Sequence, residues 1–279
     1  MQNTILSAEE RRTMQALHQK AKELLESGRV GVIIGYGEGS GGKVRPVFIR
    51  NAADVSQLVW DQRCRQNLAA YLSKPEIKKM GTPGIVTTPV VVRSIVQLIA
   101  ERQIRSSDLV ALAIEDSVVT ELTDNASLEK YVASHPVGFP PHVNKEIETL
   151  AAMSVEERFA FWQEELSRCF KCYACRSSCP LCYCERCITD CNQPQWVDVA
   201  PHALGNFEWH INRAMHLAGR CVQCGSCNIA CPVGIPISLL TIESTRIVER
   251  EFGQYAGTQC NSPAALSSFR AEDKETFIL

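Results

Sequence analysis

The chain has 279 residues, of which 45% are hydrophobic, and Lys+Arg 29 against Asp+Glu 31 give a net charge of -2. This length and hydrophobic content allow one large or two ordinary globular domains. The near-neutral charge argues against nucleic acid as a partner. Residues 1–28 lack the apolar core of a signal peptide, and no uncharged run approaches the roughly 18 residues needed to cross a bilayer. We expect a cytoplasmic protein without membrane insertion.

An amphipathic helix is predicted first, because Ser7 and Glu10 fit a capping box and apolar residues follow at helical spacing until Gly28. Residues 29–36 and 44–50 then have the composition of two strands. The glycine-rich segment between them, residues 37–43, also satisfies the spacings of two phosphate-binding motifs. Both motifs need a helix to follow, whereas a strand follows here, so the segment is predicted to be a hairpin turn.

An α/β domain is predicted over residues 1–150. Asp54 is placed as the N-cap of a helix over residues 55–72, and a strand, a helix and a strand follow over residues 84–116. The boundary is placed within residues 118–150, where three prolines, Pro136, Pro140 and Pro141, interrupt weak helical patterns.

A second module is predicted over residues 151–260, with a tail over 261–279. It begins with the capping box of Ser154 and Glu157, which opens an aromatic helix. The expected architecture is therefore an α/β N-terminal domain followed by a ferredoxin-like α+β module that holds two [4Fe-4S] clusters and is flanked by helices.

Cysteine is the most informative residue type, because 12 of the 14 cysteines lie between Cys169 and Cys231. Clustered cysteines in a chain without a leader indicate metal binding rather than a disulfide scaffold. The pattern C-x2-C-x2-C-x3-C-P occurs twice, in a first repeat at Cys169–Pro180 and in a second repeat at Cys221–Pro232.

In this pattern three closely spaced cysteines bind one cubane and the fourth reaches the other cluster. The spacing therefore assigns one set of ligands, the first cysteine group, to Cys169, Cys172, Cys175 and Cys231. It assigns the other set, the second cysteine group, to Cys221, Cys224, Cys227 and Cys179. Paired C-x2-C elements also make zinc sites. A tetrahedral zinc site does not require a third closely spaced cysteine followed by C-P, so the repeat favours iron–sulfur clusters over zinc.

Between the repeats lies a middle cysteine run, which consists of Cys182, Cys184, Cys187 and Cys191. Two interpretations stay open for it: a third iron–sulfur cluster, or packed free thiols and a structural metal site. The lone Cys64 and Cys260 are interpreted as small buried hydrophobic residues.

Other polar residues lie close to the ligand loops in the sequence. His210 and His216 lie on a predicted helix before the second repeat, where packing is the favoured role over ligation. Positive charge near a cluster raises its potential, and it can equally form a solvated face for an acidic partner. Both interpretations apply to a set of basic residues beside the loops: Arg168, Lys171, Arg176, Arg186 and Arg220.

With these motifs the chain resembles the iron–sulfur beta subunits of deazaflavin-dependent hydrogenases and formate dehydrogenases, in the bacterial branch associated with heterodisulfide reductase. The resemblance rests on residues 64–72, residues 92–98, the run from Cys175 to Cys187, and residues 216–221. It implies electron transfer within a redox complex, in anaerobic metabolism, and for some members a flavin in the α/β domain. Relatives often carry a Cys-Asp pair before Arg93-Ser94 and a cysteine after the next strand. This chain has Val90-Val91 and residues 115–117 there instead.

Two functions follow as expectations. The first is an electron-transfer subunit of a cytoplasmic oxidoreductase, of dehydrogenase, hydrogenase or heterodisulfide-reductase type, that relays single electrons between a catalytic partner subunit and another carrier. The alternative is a subunit that binds FAD and itself reduces or oxidises a soluble carrier. A metal-stabilised interaction module is the third interpretation. No catalytic residue is assigned, and whether this chain is itself an enzyme stays open.

Overall fold

A five-stranded sheet forms the N-terminal part of the chain in this computed structural model, which describes residues 7–139, 141–191 and 193–266. The strands are β1 (Val32–Glu38), β2 (Val44–Ile49), β3 (Pro83–Thr87), β4 (Val110–Glu115) and β5 (Val118–Leu122). Their order is β2-β1-β3-β4-β5. The central strands β1, β3 and β4 are parallel, and β2 and β5 pair antiparallel at the two edges. The predicted α/β character of this region is confirmed.

Ten helices accompany the sheet in the described residues. They are α1 (Ala8–Glu26), α2 (Pro75–Lys78), α3 (Pro89–Ala100), α4 (Asn125–Ser134), α5 (Pro141–Ala152), α6 (Val155–Ser167), α7 (Ala174–Ser177), α8 (Ala203–Leu217), α9 (Ser226–Ala230) and α10 (Ile237–Phe252). No helix in these ranges is long and apolar enough to cross a membrane.

Local sequence explains where the predicted helices begin. The Ser7 side chain accepts a hydrogen bond from the backbone of Glu10, whose carboxylate bonds back to the Ser7 backbone, and Ser154 and Glu157 form the same capping box at α6. Thr88 caps α3, with Pro89 at its first position. Residues 91–99 of α3 are all buried, which explains why this helix is apolar on nearly every side.

The hairpin prediction is confirmed, and the turn between β1 and β2 contains a short 3-10 turn at Ser40–Gly42. In contrast, the helix predicted over residues 55–72 with Asp54 as its cap is wrong. Two 3-10 turns, Ala52–Gln57 and Leu68–Tyr71, stand at the ends of an irregular segment. Between them the Val59 backbone N–H donates to the Tyr36 carbonyl at 2.8 Å, so pairing with β1 replaces helical hydrogen bonding there.

The cysteine-rich region lies between two hydrophobic cores. One core combines the sheet with α1 and α3 and extends to Leu181, Val222 and Cys260. The other combines Leu166 of α6 and Trp209 of α8 with Ile237 of α10. The predicted burial of Cys64 and Cys260 is confirmed, with 5% and 2% of each residue exposed.

Residues on either side of the predicted boundary between the two modules contact each other. Ile147 of α5 packs against Leu239 and Ile242 of α10. In addition, the Arg93 side chain of α3 donates a hydrogen bond to the carbonyl of Ala256 at 2.8 Å. The division at residues 150/151 stays a prediction, and residues 267–279 of the predicted tail lie outside the described residues.

Candidate metal centres

The two cysteine repeats fold into loops with the same backbone conformation. Lys171 in the first repeat and Gln223 in the second have φ of 53° and 62°, and two positions further on Tyr173 and Gly225 have φ of 58° and 70°. Only glycine adopts this left-handed region without cost. Three of these four residues are not glycine, so the conformation is costly in both loops. The matching positions indicate that both loops need the same backbone path around their cysteines.

That conformation aims backbone N–H groups at the cysteine sulfurs. The Lys171 N–H donates to Cys169 Sγ at 3.3 Å, and the Gln223 N–H donates to Cys221 Sγ at the same distance. Hydrogen bonds from backbone N–H groups favour a thiolate over a thiol, which is the form that binds metal. Each loop continues into a short helix, and the two helices, α7 and α9, contact each other.

The first cysteine group lines one small cavity. Cys169, Cys172 and Cys175 of the first repeat share its wall with Cys231 of the second repeat. Burial, with the neighbouring thiols of Cys172 and Cys231, raises the pKa of Cys169. Burial also raises the pKa of Cys175, to about 11. The structure thus brings together the four residues that the spacing assigned to one cluster.

Three members of the second cysteine group, Cys179, Cys221 and Cys224, pack on the α/β core, whereas Cys227 packs on the other core. Burial raises the pKa of Cys227, and so do the neighbouring thiols of Cys224 and Cys221. The pKa of Cys179 is raised by its hydrogen bond with Cys182, by burial and by the nearby Cys224. Cys179 of the first repeat therefore lies near Cys224 of the second repeat.

No three His, Cys, Asp or Glu side chains within the described ranges converge so as to hold a single metal ion. A [4Fe-4S] cubane has a different requirement, because each thiolate binds a separate iron at its own corner. The first cysteine group fits this requirement, with four thiols at one cavity and the Lys171 N–H aimed at the Cys169 sulfur. In the second group the Gln223 N–H is aimed at the Cys221 sulfur in the same way.

The middle cysteine run does not gather at one point. Cys182 lies beside Cys179, whereas Cys184 and Cys191 are exposed and the Cys187 thiol contacts Thr189 Oγ1 at 3.0 Å. The hydrogen bond with Cys179 and the guanidinium of Arg213 lower the pKa of Cys182. The third cluster stays a prediction, and the structure places one of its four cysteines at the second group.

Helix α8 supplies part of the wall of the first cysteine group's cavity. Trp209 and His210 line the cavity of the first cysteine group, and Arg213 follows one turn later on the same buried face. Burial lowers the pKa of His210 to about 4, and neither ring nitrogen has a hydrogen-bond partner. His210 thus packs at the wall of the centre, while His216 is exposed at the end of α8.

Most of the basic residues noted beside the loops are neutralised by other groups. Arg176 pairs with Asp190 at 3.1 Å and Arg220 with Glu101 at 2.6 Å. Arg168 pairs with Glu165, Lys171 donates to the Asp198 carbonyl, and Arg186 is exposed. The buried Arg213 was missed from the sequence. The helical period of α8 could have revealed it, since residue 213 shares a face with Trp209 and Leu217.

A separate cavity of about 550 Å³ opens beside the carboxyl ends of β3 and β4. In α/β sheets this edge is the usual place for a bound nucleotide. The carboxylates Glu9, Glu10, Asp61 and Asp116 line it, and its lining among the described residues includes no lysine or arginine. Such a lining repels the pyrophosphate of a flavin dinucleotide.

Comparison with known proteins agrees with an iron–sulfur centre. Residues 182–236 match the family model described as a 4Fe-4S dicluster domain. The match includes the middle cysteine run and the second repeat, and it begins after the first repeat.

A curated relative is the F420-dependent formate dehydrogenase subunit beta of Methanocaldococcus jannaschii. It is 34% identical over 79 residues, which are 28% of this chain and 20% of the relative. The match thus spans about a fifth of the relative's length. Both comparisons support an iron–sulfur subunit with a ferredoxin-like 4Fe-4S domain at residues 182–236.

Proposed function

We propose that this chain is an electron-transfer subunit of a cytoplasmic oxidoreductase complex and that it holds two [4Fe-4S] clusters. The observation that carries the proposal is the position of Cys231, which shares one cavity with the three leading cysteines of the other repeat. An exchange of fourth ligands is the arrangement that places two cubanes side by side.

The protein groups have distinct roles in this proposal. The first cysteine group holds one cluster and the second group holds the other, so that the clusters accept and release one electron at a time. The N–H groups of Lys171 and Gln223 favour negative charge on the sulfurs of Cys169 and Cys221. Trp209, 2% exposed, keeps water from the interior side of the first group.

Other subunits of a redox complex are the proposed partners. The relative matched by 79 residues is itself named as a subunit of a formate dehydrogenase. In the first cysteine group Cys172 is exposed and the neighbouring Phe170 is 53% exposed, whereas all four cysteines of the second group are partly buried. The first group is therefore the proposed point at which an electron enters or leaves the protein.

The test is to purify the chain without oxygen and to measure iron, acid-labile sulfide, zinc and flavin. Two clusters require about eight irons and about eight sulfides per chain, and about twelve of each would add the third cluster. Stoichiometric zinc in place of iron would contradict electron transfer and leave the metal-stabilised interaction module as the better interpretation.

A second candidate is a subunit that binds FAD and itself reacts with a soluble carrier. The cavity beside β3 and β4 favours it by position, although the acidic lining opposes it. Flavin released in about one equivalent per chain by denaturation would favour this candidate over the relay. Flavin-free protein with a full complement of iron would favour the relay.

A further inference from the structure

Arg213 is a buried cation without a carboxylate partner. The residue is 4% exposed in the middle of α8, and its Nη2 donates to the carbonyl of Cys175 at 3.1 Å. The guanidinium carbon lies 5.9 Å from the ring centre of Trp209. The buried Nε has no hydrogen-bond partner.

The guanidinium needs a negative charge nearby, because arginine stays protonated in proteins and an unpaired buried charge is strongly destabilising. In the described part of the chain, none of the salt bridges includes Arg213, and the groups that act on it most strongly are all thiols. These thiols are Cys175, Cys179, Cys182 and Cys227. The charge that balances Arg213 must therefore come from the cysteines and what they hold.

The position of Arg213 spans both centres. Its hydrogen bond goes to Cys175, which belongs to the first cysteine group. The other groups whose charge acts on the guanidinium include Cys179 and Cys227 of the second cysteine group, together with Cys182 of the middle run. One side chain thus faces ligands proposed for two different clusters.

We propose that Arg213 is the shared counter-charge of both clusters and raises the reduction potential of each. The inference rests on the proposed function, since it presumes that both cysteine groups hold [4Fe-4S] clusters. Each reduction adds one electron and hence one negative charge. A fixed positive charge in a water-poor interior stabilises that added charge in whichever cluster carries it.

Other arginines near the ligands cannot supply the same charge. Arg176, adjacent to Cys175, is paired with Asp190 and has a side chain that is 24% exposed. Arg220, adjacent to Cys221, is paired with Glu101. In both pairs the carboxylate cancels most of the field that would reach a cluster. Arg213 is therefore predicted to contribute more than either of them, and the exposed Arg186 provides a control because water screens its charge.

The experiment is a redox titration of the full chain, purified without oxygen and followed by electron paramagnetic resonance, for wild type, Arg213→Met and Arg186→Met. Arg213→Met is expected to lower the equilibrium constant for reduction of both clusters at least tenfold, which is about 59 mV for a one-electron couple. Arg186→Met is expected to change either constant less than threefold, because the Arg186 side chain is exposed to water. Unchanged potentials in Arg213→Met, or a shift in one cluster alone, would overturn the proposal.

Arg213→Lys covers the case in which Arg213→Met fails to assemble, because lysine keeps the charge. If Arg213→Met loses iron while Arg213→Lys retains both clusters, the requirement for a buried cation is supported. If both variants lose iron, charge is not the property that matters and the inference is contradicted. Wild-type protein without iron and sulfide would contradict the proposed function itself, so the two failures are distinguishable.

Discussion

Glu101 and Arg220 join the α/β domain to the second cysteine repeat through two parallel hydrogen bonds. Arg220 Nε donates to Glu101 Oε1 at 2.8 Å, and Arg220 Nη2 donates to Glu101 Oε2 at 2.6 Å. Glu101 ends helix α3, and Arg220 directly precedes Cys221. Tyr183, next to Cys182, donates its hydroxyl to the same carboxylate at 2.8 Å. The carboxylate therefore fixes the chain on both sides of the second cysteine group.

We predict that Glu101→Gln lowers the free energy of unfolding by about 2–3 kcal/mol, because it leaves a partly buried guanidinium without its charge partner. The measurement is the urea midpoint of the full chain under anaerobic conditions. Glu26→Gln is the control, since Glu26 forms only an exposed pair with Lys22 at 3.7 Å. The control is expected to change stability by less than about 0.5 kcal/mol. Equal effects of the two variants would contradict the role of Glu101.

We predict that the buried Cys64 thiol makes the protein less stable at alkaline pH. Burial raises its pKa from 9.0 to about 12. Because the unfolded thiol ionises first, the stability gained from the neutral buried form is complete below pH 9 and is lost as the pH rises toward 12. Between pH 8 and pH 10, the free energy of unfolding of Cys64→Ala should therefore fall by about 1.4 kcal/mol less than that of wild type. The exposed Cys184 provides a control: Cys184→Ala should keep the wild-type pH dependence. A Cys64→Ala slope equal to that of wild type would count against this account.

Gly257 tests how the segment after α10 packs on α3. Its φ is +75°, and a Cβ there would lie 2.4 Å from the Arg93 carbonyl oxygen. We expect Gly257→Ala to lower the free energy of unfolding by about 3 kcal/mol or more, through conformational cost and displacement of backbone. Gly253 has φ of +64° with nothing within 4 Å, so Gly253→Ala should cost only about 1 kcal/mol. Thermal unfolding of the two variants makes the comparison, and equal losses would show that the contact with Arg93 is unimportant.

Substitutions in the middle cysteine run test whether the protein holds two clusters or three. Under the two-cluster proposal, a chain with both Cys184→Ser and Cys191→Ser retains the wild-type iron content, because both residues are exposed and neither is assigned to the two clusters. A loss of about four irons in the double variant would instead establish the third cluster.

Sequence pattern was a good guide where local chemistry decides the structure. The capping boxes of Ser7 and Ser154 and the hairpin after β1 were predicted correctly, because each depends on residues only a few positions apart. The four-cysteine periodicity predicted that Cys231 would join Cys169, and these residues line one cavity.

Prediction failed where distant segments compete with local preference. Residues 55–72 have helical periodicity, but Tyr36 pairs with Val59 and the Asn67 side chain donates to Ser94 Oγ at 2.7 Å. Neither partner lies near in the sequence. The same holds for Arg213, whose importance depends on cysteines from both repeats.

If the two repeats exchange their fourth ligands, Cys231→Ala removes a ligand from the cluster that Cys172 holds. Iron content and the reduced-state electron paramagnetic resonance spectrum would be recorded for Cys231→Ala, Cys172→Ala and Cys224→Ala, each purified without oxygen. We predict that Cys231→Ala loses the same cluster as Cys172→Ala and keeps the cluster that Cys224→Ala loses. A Cys231→Ala spectrum that matches Cys224→Ala would show that Cys231 serves its own repeat, which contradicts the exchange.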